Sequence, residues 1–514
     1  MSEALAEPDQ VRKTTSATDL DPKRWIALIV IAIAQLMVIL DATIVNVAIP
    51  RAAADIGISP NDTQWMITAY ALPFGALLLL GGRIADFLGR KRMLIVGLIG
   101  FALASAIGGA AQAPWMLYSG RALQGVFAAL LAPAALSLLT VTFRDPKERA
   151  KAFAVFGAIA GGGAAVGLVL GGLLTEYASW QWCFFVNIPV AVIAVFLAVP
   201  ILRESRISDR THYDIPGAIL GTAGLGALVW GFTRPTVVDP VTGELAGWGS
   251  IETIVWLGVA VVLLAAFVLV ERRSSSPLLP MRVLTNRSRA GAYIVGGLVG
   301  AGMFAVFLFL TLYMQLFLNF EPLEAGLAFL PFSAGVILGA GIGSQLVIKL
   351  GPKFVVPAGL VLGIIGLVWL STLDATTTYA GTLLPGMLIM SVGMGFIFMS
   401  VTNVALVGIS KDDAGVASAM VNTTQQIGGS LGTALLTTFS TSAAVTFLVG
   451  NLPAGATPEM TQATAAAAGV HGWGVAFLWA AGFFAAAFVA SLFLIRTGKI
   501  EGTVSEDAVP VHVG

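Results

Sequence analysis

The stretch "IAIAQLMVILDATIVNVAIP", residues 31–50, decides the fold class. Its first ten residues contain one polar side chain, Gln35, and the apolar run resumes directly after Asp41. At the 1.5 Å rise of an α-helix, such a stretch spans about 30 Å, the thickness of the hydrocarbon core of a bilayer. It is therefore predicted to be a transmembrane helix that contains a carboxylate, and a carboxylate costs several kcal/mol to bury there.

The composition of the whole chain favours the same class. Of its 514 residues, 57% are hydrophobic and 11% are charged, whereas soluble domains are about 25% charged. A polytopic all-α membrane protein is the class that keeps so much apolar surface away from water. The 28 basic and 28 acidic residues cancel, so no basic field indicates a nucleic acid partner. The single cysteine, Cys183, excludes an intrachain disulfide, and three scattered histidines do not indicate a metal site.

Long hydrophobic runs recur fourteen times along the chain, which predicts fourteen transmembrane helices. The predicted spans lie near residues 25–49, 63–82, 93–112, 115–141, 151–175, 182–202, 215–233, 251–270, 290–318, 325–348, 354–372, 380–408, 418–447 and 473–495. An even number of spans places both termini on the same side of the membrane.

Positive charges are distributed unevenly between the two sets of connecting segments. With a cytoplasmic N-terminus, 25 of the 28 Lys and Arg residues fall in cytoplasmic segments, and only Arg51 and Arg234 fall on the other side. Cytoplasmic segments of membrane proteins carry an excess of Lys and Arg. The distribution predicts a multi-pass protein of a bacterial inner membrane with two cytoplasmic tails, residues 1–24 and 496–514.

Two charged side chains are predicted to lie deep within the spans. Asp41 and Arg121 lie about 12 Å and about 9 Å from the predicted outer ends of the first and fourth spans. Charges at similar depth can pair, or face one aqueous cavity, if the two spans pack together. The pair can be purely structural. Alternatively, a carboxylate balanced between burial and a nearby arginine can bind and release a proton or a cation, and we favour this interpretation.

A short loop motif joins the second and third spans, in the stretch "GGRIADFLGRKRML", residues 81–94. Glycine permits close helix approach and turns with positive φ, and the single acid can bond an arginine or a helix N-terminus. A solvated basic loop would explain the basic residues but not this spacing of glycines and acid. The residues of the motif are Gly82, Asp86, Gly89, Arg90 and Lys91.

These features resemble the major facilitator superfamily, and with fourteen spans the chain is similar to its drug:proton antiporter subfamily of the EmrB/QacA type. The resemblance covers about residues 20 to 500. The stretches "LDATIVNVAIP", residues 40–50, and "LYSGRALQGVFAA", residues 117–129, resemble the subfamily's first-helix and fourth-helix motifs. The resemblance implies that Asp41 and Arg121, with Gln124 beside them, couple proton transfer to transport. It also implies that the loop motif takes part in gating.

The fifth span departs from the subfamily's motif, which reads G-x-x-x-G-P-x-x-G-G. Residues 163–172 read "GAAVGLVLGG", so Leu168 stands where proline is expected. The glycines of the motif are present and allow close helix packing, but the proline kink is not predicted. These glycines are Gly163, Gly167, Gly171 and Gly172.

The resemblance also implies an architecture of two six-helix bundles, residues 25–202 and 290–495, with the transport pathway between them. Residues 203–289 would contribute two inserted helices and their flanking loops. Spans 1, 4, 9 and 12 are expected to face the pathway, although the methionines of span 12 can equally face lipid or neighbouring helices. The residues predicted to line the cavity are Asn46, Trp65, Tyr70, Gln124, Tyr313, Gln315, Met394, Phe396 and Asn403.

The sequence therefore predicts a monomeric, proton-driven multidrug efflux antiporter that exports hydrophobic or amphipathic compounds, including monocations, and so gives antibiotic resistance. Membrane lipids and these small substrates are the expected partners, and no cofactor is expected. A transporter of lipids or endogenous hydrophobic metabolites is the alternative, indicated by Leu168. An enzyme is not predicted, because no nucleophiles, metal ligands or paired carboxylates converge. A channel is not predicted, because no ring of like charges is present.

Overall fold

The computed structural model describes residues 22–143, 145–206, 214–237, 245–274, 277–278, 285–374, 377–409, 414–453 and 455–496. Fourteen helices in this part of the chain are long and apolar enough to cross a membrane, which confirms the predicted number. Most of both predicted tails lies outside the described residues. The helices, α1–α14, have these bounds: Arg24–Ile56, Pro60–Leu88, Arg90–Gly109, Pro114–Thr142, Lys151–Tyr177, Trp182–Ile201, Ile215–Thr236, Ile251–Arg273, Arg287–Phe317, Pro322–Leu350, Pro352–Leu370, Tyr379–Leu406, Val416–Asn451 and Pro458–Leu494.

Several helices extend beyond their predicted apolar runs, because helix ends depend on capping as well as on hydropathy. The prediction began α14 at residue 473, but the helix starts at Pro458, after Thr457, whose hydroxyl accepts a hydrogen bond from the backbone N–H of Met460. The prediction ended α1 at residue 49, but the helix continues to Ile56 and ends at Gly57, which has a φ of 69°. Glycine adopts this left-handed conformation without the steric penalty of a side chain.

The first six helices pack as one bundle, in which α4 lies against α2 and α3, and α1 lies against α5. Small residues allow the close contacts, since lipid provides no hydrophobic driving force for helix association. A side chain on Gly120 of α4 would lie 2.7 Å from the backbone nitrogen of Gly108 in α3. These helices therefore approach at backbone distance.

The last six helices form a second bundle of the same kind. Helix α9 packs against α13 and α14, and α12 packs between α10 and α11. Glycines again line the contact, since a side chain on Gly359 of α11 would lie 2.8 Å from the carbonyl oxygen of Gly393 in α12. The two bundles meet along two seams, where α2 packs against α13 and α5 packs against α10.

The inserted pair, α7 and α8, packs together, and α7 also lies against both α2 and α13. Trp230 of α7 packs against Trp65 of α2, with ring centroids 5.5 Å apart. The hydroxyl of Thr438 in α13 donates a hydrogen bond of 2.7 Å to the carbonyl of Phe232 in α7. The inserted pair thus covers the seam between α2 and α13.

The helix ends define two faces of the molecule. We call the face with the ends at Arg24, Leu88 and Leu494 the terminal face, and the face with the ends at Ile56, Pro60 and Tyr177 the far face. Asp41 lies close to the midpoint of the 33-residue helix of α1. The prediction from sequence placed Asp41 nearer the far-face end of α1, because it ended this helix about two turns too early.

Candidate functional site

A buried ion pair joins α1 to α4 in the middle of the first bundle. The Nη1 atom of Arg121 lies 2.5 Å from Oδ2 of Asp41, and both side chains are at most 2% exposed. Arg121 has two further acceptors, the carbonyl of Met66 at 2.9 Å and the side-chain oxygen of Gln124 at 2.9 Å. The guanidinium therefore keeps hydrogen-bond partners in the bundle even if Asp41 loses its charge.

The other carboxylate oxygen of Asp41 is bonded by neutral amides. Gln124 donates to Oδ1 of Asp41 at 2.7 Å, and Asn187, from α6, donates to the same oxygen at 2.9 Å. Gln124 also bonds the hydroxyl of Ser105 in α3 at 2.7 Å. The cluster thus draws side chains from α1, α3, α4 and α6. Such full satisfaction is what makes a buried charge tolerable in a low-dielectric interior.

Tyr70 of α2 covers the pair from a further side. The guanidinium carbon of Arg121 lies 4.4 Å from the centroid of the Tyr70 ring, in a cation–π arrangement. Tyr70, predicted to line the cavity, is 2% exposed and belongs to the shell of the ion pair. Asp41 is wholly inaccessible to solvent in this conformation.

The sequence missed Asn187 and Ser105 as partners of this cluster. Asn187 lies in the stretch "WQWCFFVNIP", residues 180–189, but a neutral polar residue at a helix start has no signal that separates it from a cap. Asn187 begins the longer helical segment within α6, Asn187–Ile201, and from there its amide reaches Asp41.

Most other predicted cavity residues lie away from the ion pair. Trp65 packs against Trp230 of the inserted pair, and Phe396 lies between α10 and α11 of its own bundle. Tyr313 is buried, with its hydroxyl bonded to the carbonyl of Asp374 at 3.0 Å. Met394 is buried in the core of the second bundle. The structure therefore does not bring these four side chains together with Asp41.

Two predicted amides bond their own helices. Asn46 donates to the carbonyl of Ala42 at 3.2 Å, and Asn403 lies 3.5 Å from the sulfur of Met399. Each contact joins two residues that are four apart in the same helix, so neither amide bonds to another helix.

The loop motif forms a compact turn at the terminal face. Asp86 pairs with Arg90 at 2.8 Å, one helical turn along the chain. Gly89 has a φ of 109°, which a residue with a side chain rarely adopts. The ammonium group of Lys91 donates a hydrogen bond of 2.7 Å to the carbonyl of Val199, at the end of α6. The turn is thereby tied to the end of α6.

Glu204, which the sequence did not single out, caps the start of α3. Its carboxylate accepts the backbone N–H groups of Lys91 at 3.1 Å and Arg92 at 3.2 Å. Acids are favourable at this position, because the first N–H groups of a helix have no partner within the helix.

The glycines of the fifth span let α5 lie directly against α1. A side chain on Gly163 would lie 3.0 Å from Ile39, and one on Gly171 would lie 2.5 Å from the carbonyl oxygen of Ile44. At Gly167 the added atom would meet the side chain of Thr43. The row at every fourth residue therefore forms a flat contact face, as small residues do in membrane helices.

Comparison with known proteins identifies the family. The sequence profile of the Major Facilitator Superfamily matches residues 31–433. The chain is 43% identical over 499 residues to the puromycin resistance protein pur8 of Streptomyces alboniger, over 96% of each chain. The chain belongs to the Major Facilitator Superfamily. It is also 36% identical to the cephamycin export protein CmcT of Amycolatopsis lactamdurans, over 84% of this chain and 86% of that one.

A solved structure shares the superfamily fold. It is that of a bacterial homolog to the human lysosomal transporter Spinster, in an inward-facing and unoccupied conformation, with a TM-score of 0.63 and 17% identity. The match covers 93% of this chain and 98% of that one. Together with the fourteen spans, these matches confirm the predicted fold class and a membrane transporter rather than an enzyme.

This superfamily member is closed at its far face by polar contacts between the two bundles. The amide of Gln315, predicted to line the cavity, donates a hydrogen bond of 2.8 Å to the carbonyl of Val47. Arg51 forms an ion pair of 2.7 Å with Glu321, and it also donates to the carbonyl of Thr175 at 2.8 Å. Each of the first two contacts links α1 to the second bundle.

Backbone packing between α5 and α10 completes the closure. A side chain on Gly172 would lie 2.5 Å from the carbonyl oxygen of Pro322. Gly326 lies against the carbonyl of Leu168, the residue that replaces the motif proline. The helix around Leu168 runs without a break to Tyr177, so α5 presents a continuous surface to α10 in this transporter.

A cavity of about 200 Å³ lies between the bundles near the terminal face. It is lined by α1, α2, α4 and α5 of the first bundle, by α13 of the second, and by Leu278 beyond the inserted pair. Asp86 of the loop motif lies at its wall. This cavity is partly open and lies near the terminal face, whereas polar contacts close the far face.

Proposed function

We propose that this chain is a proton-coupled multidrug efflux transporter with its terminal face in the cytoplasm. It acts as a monomer and exports hydrophobic or amphipathic compounds, including monocations, by alternating access. The relatives named for puromycin resistance and cephamycin export support an exporter, and the excess of Lys and Arg near the terminal face supports the orientation. The proton gradient supplies the energy, so the proposal requires no cofactor.

The observation that carries the proposal is the isolated, fully buried pair of Asp41 and Arg121. A charge pair in a low-dielectric interior is balanced, and adding a proton to one partner upsets the balance by several kcal/mol. Arg121 keeps the carbonyl of Met66, the oxygen of Gln124 and the Tyr70 ring when Asp41 becomes neutral. The site therefore supports two states, one with the proton and one without.

Burial makes proton binding depend on conformation. Asp41 is sealed while the far face is closed, so protonation follows the opening of that face. In this scheme a proton binds from outside, and the neutral carboxyl loosens the contact between α1 and α4. The helices then return, and the proton leaves toward the cytoplasm. Coupled exchange requires that the proton and the substrate each favour a different conformation.

The test is transport of ethidium, a lipophilic monocation, in proteoliposomes with an imposed pH gradient. Wild-type protein is expected to move the dye against its gradient, and Asp41→Asn is expected to abolish gradient dependence. Glu459→Gln is the matched control, because it makes the same chemical change at an exposed carboxylate at the start of α14. Gradient-driven transport by Asp41→Asn would refute coupling through Asp41. Movement of a fluorescent lipid, but of no cation, would favour the lipid transporter instead.

A further inference from the structure

One side-chain amide at the wall of the cavity makes no hydrogen bond to any residue that the structure describes. It belongs to Gln35 of α1, whose carbonyl oxygen is buried without a partner. About nine-tenths of buried polar atoms in proteins are bonded, so this exception requires an explanation. Gln35 lies about 9 Å closer to the terminal face than Asp41 along the helix, outside the hydrogen-bonded cluster of the ion pair.

A second carboxamide faces the same cavity from the other bundle. Asn422 of α13 lines it, is exposed, and has no hydrogen bond to the described part of the chain. Gln35 and Asn422 are thus two uncommitted amides, one from each bundle, at the wall of one space. Each can donate and accept a hydrogen bond.

The charged groups at the cavity wall are already engaged. Asp86 is paired with Arg90, and Arg83 donates to the carbonyl of Pro277. The remaining wall is mainly apolar, with Leu78, Leu79, Pro133, Leu136, Phe156 and Val416 as its larger side chains. The cavity thus offers neutral hydrogen-bonding groups in an apolar setting, which matches a neutral polar group on a hydrophobic compound.

The size of the cavity limits what it holds. Pockets that enclose a whole drug-sized ligand measure about 300–1,000 Å³. At about 200 Å³, this cavity accommodates one end of such a compound, while the rest extends toward the open terminal face.

We propose that this cavity is the loading subsite of the transporter, where Gln35 and Asn422 bind an amide or lactam group of the substrate. Such a group places an N–H donor beside a carbonyl acceptor, and so complements a carboxamide. A substrate held by both residues links the two bundles and favours their closure at the terminal face. This inference rests on the proposed function and adds a substrate class and two specificity-determining residues to it.

The test is direct binding to the purified full-length protein in detergent, followed by fluorescence anisotropy. Two probes are compared, N-butyl-1-pyrenecarboxamide and its N-methyl derivative, which lacks the N–H donor. Wild-type protein is expected to bind the secondary amide about fivefold more tightly or better, the effect of one hydrogen bond. Gln35→Leu is expected to lose this preference. Asn451→Val is the control, since that amide bonds only its own helix, at the carbonyl of Phe447.

Asn422→Val is the second variant, at an exposed side chain, and guards against misfolding of Gln35→Leu. It is expected to reduce the preference as well. Equal binding of the two probes by wild-type protein, or an unchanged preference in both variants, would overturn the subsite. Ethidium transport by the same protein after reconstitution into proteoliposomes separates this result from the proposed function: transport without amide preference refutes only the subsite. Amide preference without any transport refutes the exporter and leaves a binding site.

Discussion

The side-chain amide of Gln315 donates a hydrogen bond to the backbone carbonyl of Val47, and so joins the end of α9 to the far-face half of α1. The acceptor lies six residues along α1 from Asp41, on the far-face side of the ion pair. A movement that opens the far face must break this hydrogen bond before Asp41 becomes accessible. Helix α1 therefore carries both the acceptor of this hydrogen bond between the bundles and the buried carboxylate of Asp41.

Loss of the far-face contacts made by Gln315 and Glu321 is expected to favour the conformation that is open at the far face. The double variant Gln315→Leu/Glu321→Ala removes two contacts worth about 1 kcal/mol each or less, so the open population should rise by up to about thirtyfold. Spin labels at Ala54→Cys and Glu324→Cys report the separation, in a Cys183→Ser background, as a shift to longer distances. Asn451→Val should leave the distribution unchanged. A double variant that matches wild type would show that backbone packing alone closes this face.

Removal of Arg121 is expected to destabilise the protein by about 3–5 kcal/mol, because Arg121→Gln leaves a buried carboxylate without a countercharge. The double variant Asp41→Asn/Arg121→Gln removes both charges and is expected to recover most of that loss. Thermal unfolding in detergent measures the cycle, and non-additivity is the signature of the pair. Transport is expected to remain absent in the double variant. Additive losses would mean that the two residues stabilise the bundle independently.

A matched pair of glycine substitutions in α5 tests its contact with α1. Gly171→Ala is expected to destabilise the protein by about 1–3 kcal/mol, because the added carbon would meet the carbonyl of Ile44. Gly162→Ala has open space around it and is expected to stabilise the helix by up to about 1 kcal/mol. Chemical denaturation compares the two variants. Equal effects would show that α5 does not press against α1 at Gly171.

The ion pair of Arg24 with Glu148 predicts a pH dependence at the terminal face. The hydrogen bond from Arg24, at 2.7 Å, holds the pKa of Glu148 below its usual range. A lowered folded-state pKa gives stability that is present above the unfolded value of about 4.3 and is lost as the pH falls through the folded value.

Glu148→Gln should therefore lower the melting temperature slightly at pH 7, and the difference from wild type should disappear in acid. Thermal unfolding of both proteins between pH 3 and pH 7 is the measurement. Glu459→Gln, at an exposed carboxylate at the start of α14, is the comparison. A difference that persists below the pKa would indicate a contribution from packing rather than from charge.

Hydropathy predicted all fourteen spans, because a bilayer requires long apolar runs whatever their packing. The pairing of Asp41 with Arg121 was also foreseeable, since few charges are placed deep in the spans. The sequence did not predict Asn187 or Ser105, because neutral polar residues serve equally well as caps and packing residues. Their role depends on which helices meet, and this follows from three-dimensional packing.

The sequence also did not predict that some charged side chains outside the first bundle are buried. Glu271, near the end of α8, is 2% exposed and accepts the backbone N–H of Leu278. Arg289 bonds the carbonyl of Ala405 at the end of α12. Both lie at helix ends, where hydropathy cannot separate a side chain in water from one folded back on the protein.

The position of α7 makes the two routes from the bilayer into the molecule unequal. Helix α7 covers one seam along α2 and α13, held by the tryptophans Trp65 and Trp230 and by the bond from Thr438. The seam of α5 and α10 has no such cover in the described chain. A compound dissolved in the leaflet therefore meets a shielded side and an unshielded side. Sideways uptake from lipid would be one-sided.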